Sequence, residues 1–292
     1  MTEKVDREKI RRVISSVPLL SASATQLLQT TTDPDHDLQS IVRIVKTDAT
    51  LTARVLKVVN SAAFGLINEI TTLDRAISYL GERLIVGIAI GDCASQLFNK
   101  DLQGYEAEHG SLWRHDLRTA IASREVVTQT GADINPDLAF TAGLLHDIGK
   151  ALISDYLSGT AAEIIAKISA EQTSDYLSAE EEMIGFDHAR AGHELALAWK
   201  LPATIAEVIR FHHTPAAAQP EYRSLVYAVH LGDNIAMMGG CGTGADSMHY
   251  RLDTEYSEYL HLDSNTLASI LLAVNEEFNK LERSFAEAGD TH

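Results

Sequence analysis

The run Ala142-Gly143-Leu144-Leu145-His146-Asp147-Ile148-Gly149-Lys150 ends an apolar, helix-forming stretch with an adjacent histidine and aspartate, followed at once by a glycine and a lysine. A neutral imidazole beside a carboxylate suits a divalent transition metal. Neighbouring helix positions point about 100° apart, so the two side chains share one ion only if it sits close to the backbone. A carboxylate there has two oxygens and can bridge a pair of metals, while the lysine offers a point charge to a phosphate. An isolated pair of this kind is more often a surface feature of a helix end. Here the chain supplies further ligand types, His115, His188, His212, His213 and Asp233, each after an apolar helical run. With His146 and Asp147 they form the set that a two-metal site needs, in which paired ions activate a water and clamp a phosphate displacement.

Each of these residues also has a bland reading. His115 alone reads as a core or surface histidine, His188 as a solvated partner for nearby glutamates, and His212-His213 as a pair that offsets a helix dipole. His36, His109, His193, His230, His249, His261 and His292 show that the chain has histidines to spare. It is the order of the seven along successive helices that favours a shared site.

Composition narrows the class. The 292 residues are enough for one large or two ordinary domains, and 45% hydrophobic with 22% charged content is that of a soluble globular protein. A formal net charge of −17 argues against a broad basic surface that wraps a nucleic-acid duplex, but leaves room for a small anion in a local pocket. Cys93 and Cys241 are far apart without CxxC spacing, which points to a reducing cytosol rather than a disulfide framework. Residues 1–12 are too charged for a signal peptide, and apolar runs such as 84–91 are too short to span a membrane. The expectation is a cytoplasmic protein with no membrane contact.

The elements that must position the ligands read as nearly all helix. A charged helix over 6–14 is broken at Val17-Pro18-Leu19-Leu20. Ser21 or Ser23, Asp37, Asp48 or Thr50, and Thr71 or Thr72 are expected caps of four further helices, with Thr32-Asp33-Pro34-Asp35 as a turn and Gly81 as a stop. Residues 84–97 are apolar almost all round and are expected to form one buried central helix. Asn60 and Ser61 fit turn and cap roles better than a polar site. The polar stretch 99–110 marks a lobe boundary, giving an N-terminal helical lobe over 1–108 and a second lobe over 109–292. Within the second lobe, helices are expected over 111–128, 137–145 and 161–168. Another, capped by Ser178, should run through His188 to Trp199, and others cover 202–213 and 224–238, with final helices over 254–260 and 264–285. The glycine-rich run 238–244 lacks the lysine of a phosphate-binding loop and reads as a flexible connection between helices.

The series Val17-Pro18-Leu19-Leu20, Asp33-Pro34-Asp35, Lys46-Thr47-Asp48-Ala49-Thr50-Leu51-Thr52, Val59-Asn60-Ser61-Ala62-Ala63-Phe64-Gly65, Ile70-Thr71-Thr72-Leu73-Asp74-Arg75-Ala76-Ile77, Tyr79-Leu80-Gly81 and residues 143–150, in this order, resembles the HDOD domain. The likeness runs from about residue 10 to 215 and more weakly to Met238. HDOD domains are similar to the HD and HD-GYP metal-dependent phosphohydrolases but catalytically reduced, and occur in bacterial signalling proteins. The resemblance implies an all-helical HD-like fold and a regulatory or interaction module.

Against the HD-GYP pattern, His146 and Asp147 match the namesake pair and Lys150 the lysine behind it. His188 with Gly192, His212 with His213, and Asp233 match the later ligands, while His115 falls where the early histidine is expected. Two departures stand out. After His213 the chain reads Thr214-Pro215-Ala216, without the glycine-tyrosine-proline loop, and Ser111 stands where some relatives carry a carboxylate. The resemblance thus implies a metal set of His115, His146, Asp147, His188, His212, His213 and Asp233, holding a divalent metal in a dinuclear iron or manganese site. Two readings stay open at this point. One is a regulatory module that binds a signalling protein or a small anionic, nucleotide-like ligand. The other is an active phosphohydrolase on nucleotides or cyclic dinucleotides, with Asp147 and Lys150 as its catalytic residues. No receiver, cyclase or DNA-binding segment accompanies the domain, so its input is expected from another chain or a ligand.

Overall fold

Six helix starts are set by the side-chain caps that follow. Ser21, Asp37, Asp48, Asn135, Asp175 and Asp187 each accept a hydrogen bond from a backbone N–H in the first turn of the helix that follows. Such a cap contributes about 1 kcal/mol. The computed structural model describes residues 7–33 and 35–289; the first residues of the opening stretch, Pro34 of the expected turn, and His292 lie outside them. The helices are α1 Arg7–Ser16, α2 Ala22–Thr31, α3 Leu38–Lys46, α4 Ala49–Val59, α5 Leu73–Leu80, α6 Glu82–Cys93, α7 Ser95–Phe98 and α8 Ser111–Thr130. They continue as α9 Pro136–Leu145, α10 Lys150–Ile153, α11 Ala161–Ser169, α12 Tyr176–Ile184, α13 His188–Ala198, α14 Ala203–Phe211, α15 Arg223–Met238 and α16 Ser264–Gly289. Among the described residues there is no strand, only an isolated bridge between Leu102 and Ala107. The all-helical expectation holds.

The first half packs α2, α4 and α5 around α6, whose residues from Leu84 to Ile90 are all buried and which also rests on α9. The second half is built on α8, which lies against α9, α15 and α16. These contacts are close because small residues stand at them. A Cβ on Gly143 would come to 2.9 Å from the Ala120 Cα, and one on Gly232 would overlap Ser123. Three site-bearing helices thereby meet at nearly backbone distance. α13 packs on α14 and α10, and α16 returns over α8 and α4. One hydrophobic cluster runs through both halves.

Three local expectations need correction. The central helix ends at Cys93, and α7 begins after Ala94, so 84–97 is two elements. Asp175, not Ser178, caps α12, because its carboxylate accepts from the Ser178 N–H at 2.8 Å. That helix does not run on to Trp199: Gly185, at φ 78°, stops it, and Asp187 starts α13 with His188 as its first residue. Asn60 is the turn residue expected of it. Its amide accepts from the Ile70 N–H and donates to the Ile70 carbonyl, both at 2.8 Å, and donates to Leu56 at 2.9 Å.

Among the described glycines, the tightest approach to another backbone lies beside the His-Asp pair. A Cβ on Gly149 would overlap the His188 carbonyl, so only glycine lets the start of α10 touch the first turn of α13. Gly149→Ala is therefore expected to cost about 1–3 kcal/mol through overpacking. Gly192→Ala should cost less, because its nearest neighbour is a movable methyl of Ile209. Urea denaturation midpoints would test this, and a Gly149→Ala protein within about 0.5 kcal/mol of wild type would contradict it.

Candidate metal centre

Four imidazoles are held by the same device. His115, on α8, has its Nδ1 2.7 Å from the Cys241 carbonyl, and His146, capping α9, has Nδ1 2.8 Å from the Gly143 carbonyl. His212, capping α14, places Nδ1 3.0 Å from the Ile209 carbonyl, and His188 places its own 2.8 Å from Glu180 Oε2. An acceptor at Nδ1 fixes a proton there and leaves the Nε2 lone pair for something else. All four Nε2 atoms converge on one buried carboxylate. Asp147 Oδ1 lies 3.3 Å from Nε2 of both His188 and His212. Its Oδ2 lies 3.4 Å from His115 Nε2 and 3.6 Å from His146 Nε2.

Asp233, reaching in from α15, puts Oδ1 3.1 Å from His115 Nε2 and 3.7 Å from His146 Nε2. His213 brings Nε2 to 3.1 Å from His188 Nε2, and its ring stacks on Tyr250 with centroids 3.9 Å apart. All seven residues expected from the sequence thus lie together. They sort into a group of Asp147, His188, His212 and His213 and a group around His115, His146, Asp147 and Asp233, with Asp147 in both. Ligand atoms of the first four lie within 4.8 Å of one another. So do those of His115, Asp116, His146 and Asp147.

The cluster leaves polar atoms without partners. His115 Nε2, His146 Nε2, His213 Nδ1, Asp233 Oδ2 and both Asp147 oxygens are buried and make no hydrogen bond, although Asp147 Oδ2 forms an ion pair with Lys150 Nζ at 2.6 Å. A buried polar group left this way costs about 1–3 kcal/mol. Imidazole nitrogens and carboxylate oxygens in this number are a donor set for a borderline divalent metal, and the residues fit one.

Protonation follows the same geometry. Burial raises Asp147 and Asp233, but Lys150 and His146 around the first, and His115 and His146 around the second, hold both carboxyls well below the usual range. Burial pulls His188 down, yet the Glu180 and Asp147 carboxylates push it up to about 10. His115 is likewise raised against its burial by Asp147 and Asp233. His212, dominated by burial, falls to about 4, and His213 falls well below its ordinary value. Asp116 is pushed up to about 8 by burial.

Several contributors were not visible in the sequence. Asp116 supplies a buried carboxylate beside His115, five residues after Ser111, the position at which some relatives carry one. Glu180 binds both the ring and the backbone N–H of His188 and accepts from the Tyr105 hydroxyl at 2.7 Å. The glycine-rich run is not merely a flexible connection. Its Cys241 carbonyl orients His115, and Thr243 with Asp246 grips Lys150 Nζ at 2.8 and 2.5 Å. Nothing periodic marks Thr243 or Asp246, because an irregular segment carries no repeat to read.

An all-helical chain with a His-Asp cluster of this kind falls in the HD-like class. The sequence profile of the HDOD domain matches residues 17–215, and the chain belongs to that family. It is 27% identical over 216 residues to an uncharacterized protein of Treponema pallidum (strain Nichols), covering 74% of this chain. The match spans 41% of that relative's length. A solved HDOD domain protein from Geobacter sulfurreducens superposes with a TM-score of 0.66 over 96% of each chain at 23% identity. A structure from Marinobacter aquaeolei VT8, provisionally called a signal transduction protein, gives 0.76 at 17% identity, covering 97% of this chain and 66% of the other. One from Shewanella amazonensis SB2B, provisionally called a metal-dependent phosphohydrolase, gives 0.53 at 18% identity over 95% of each. These likenesses establish the fold.

Glu180→Gln removes the negative charge beside His188 while keeping its shape. The His188 pKa should then fall from its present value of about 10, because the imidazolium loses its strongest support. Imidazole resonances followed by NMR through a pH titration of chelator-treated protein would show it. An unmoved His188 would remove Glu180 as the cause.

Proposed function

We propose that this chain is a regulatory HDOD domain that retains a metal centre and acts by binding, with a signalling protein or a small anionic ligand as its partner. The observation that carries the metal reading is the division of the Asp147 carboxylate, one oxygen facing two imidazole nitrogens and the other facing two more. His115, His146, Asp147 and Asp233 would hold one ion, and Asp147, His188, His212 and His213 a second. Iron or manganese suits such nitrogen and oxygen ligands. A metal pair bound there supplies Lewis acidity and an activated water.

The chain's own residues set what can be done with it. Cys241, Gly143, Ile209 and Glu180 fix the orientation of the rings, and Lys150 balances the charge of Asp147. Hydrolysis would be carried by Asp147 and Lys150. Both are 1% exposed, and the Lys150 ammonium is already engaged by Asp147, Asp246 and Thr243. That closure favours the binding reading over turnover. The net charge of −17 opposes a nucleic-acid duplex as the partner. No helix among the described residues is long and apolar enough to cross a membrane.

Elemental mass spectrometry of protein grown with added iron or manganese tests the centre. About two equivalents per chain are expected, falling to a small fraction in Asp147→Ala, which removes the shared ligand. Equal metal in both proteins would sink the assignment.

A further inference from the structure

The residues that close the centre come from one irregular segment. Between α15 and a 3-10 turn at Thr254–Glu258, the chain runs without an α-helix, yet Thr243 and Asp246 on it are 2% and 0% exposed. Asp246 is the hub. Its Oδ2 receives Lys150 Nζ at 2.5 Å, the Tyr250 hydroxyl at 2.8 Å and the Thr243 hydroxyl at 2.8 Å. Tyr250 then lies flat on the His213 ring and faces Lys150, whose Nζ is 5.0 Å from its centroid. The segment is seated on the fold through the Ala245 N–H to the Tyr105 carbonyl at 2.7 Å and the Tyr176 N–H to the His249 carbonyl at 2.9 Å. Gly244, at φ 151°, lies so close to the Tyr105 carbonyl that a Cβ would overlap it. Met248 is held at φ 62° with its side chain exposed. That left-handed backbone is uncommon for a residue with a Cβ.

A carboxylate oxygen beside a threonine hydroxyl presents to the Lys150 ammonium oxygen acceptors of the kind a phosphate presents. We propose that the segment 239–250 is an intramolecular stopper. Asp246 fills, in cis, an oxyanion position offered by Lys150 beside the candidate metal centre, and a phosphate-bearing ligand reaches that position only by displacing it. The inference rests on the binding reading above for its ligand class, but the contact itself needs no metal. It gives the segment a defined job: the centre is closed in this state, and the ligand that opens it is a phosphate or phosphomonoester that takes over Lys150 and releases Tyr250 from His213.

Amide hydrogen exchange of the full chain, with and without metal, reads the stopper directly. Asp246→Asn exchanges one of the two charged partners of Lys150 for a neutral group of equal shape. Exchange across 239–250 should rise roughly 10- to 100-fold, the factor for loss of one charge-assisted hydrogen bond. Tyr250→Phe removes a single hydroxyl contact and should give a smaller rise in the same residues, which keeps the test open if the first variant folds poorly. Inorganic phosphate or a nucleoside monophosphate added to the wild-type protein should speed the same amides more than chloride at equal ionic strength. An effect of phosphate alone would restrict the ligand to the free oxyanion. Wild-type exchange rates in both variants, or a phosphate effect no larger than that of chloride, would overturn the stopper. Metal content measured on parallel samples separates the two ideas: opening in protein that takes up no metal even after growth with added iron or manganese would leave the stopper standing and the metal assignment refuted.

Discussion

Everything in the second half of this protein answers to one buried carboxylate. Asp147 is 1% exposed and surrounded by four imidazole nitrogens and an ammonium. An isolated charge in such a place is prohibitively expensive, so its neighbours are obligatory rather than optional. Each neighbour brings an obligation of its own. The imidazoles require acceptors at Nδ1, and three of these are backbone carbonyls at fixed places in the fold. Lys150 requires anions, and Asp246 supplies the second. The demands spread outward from a single carboxylate until they reach neutral, well-paired groups.

Meeting those demands needs backbones at unusually close range. Glycines at 143, 149, 192 and 232 stand where α8, α9, α10, α13, α14 and α15 press together, and side chains there would separate the very helices that carry the ligands. The apolar runs before each ligand supply the complementary force. They bury the helix faces and leave only the terminal residue or the inward position polar. His146 and His212 occupy helix ends for this reason, since a C-terminal cap can turn its ring back toward a carbonyl of its own last turn.

The sequence made the helices and the ligand set legible because both leave a pattern. Caps at Asp37 and Asp48, the stop at Gly81 and the apolar spacing of α8 and α15 are local signals, and local signals survive folding. The seven candidate ligands could be picked out because each follows an apolar run, and because their order resembles a family series. Where two signals competed, the reading failed. Ser178 followed by glutamates imitates a capping box, but Asp175 lies three residues earlier with a stronger acceptor, and Glu180 is consumed by His188. Gly185 and Asp187 split what the apolar spacing joined. Glu180, Thr243, Asp246 and Tyr250 were illegible for a different reason. Their roles depend on partners that are distant in sequence, such as the 96 residues separating Lys150 from Asp246, and no local pattern encodes such a pairing.

The return of α16 over the first half has its own consequence for how the chain reaches this state. Ile270, Val274, Phe278 and Leu281 are buried, Glu277 pairs with Arg83 at 2.7 Å, and Glu287 receives the Ala62 N–H across 225 residues. Contacts of that span carry a large loop-closure penalty and form late. During synthesis from the N-terminus, α4 and α6 emerge long before the helix that finishes their surface. Until α16 docks, the first half has an exposed apolar face and an unpaired arginine, a period in which it is open to association with other chains. α16 is therefore a fastener applied after the helices it covers, and the packing of the first half is complete only once its turns have docked.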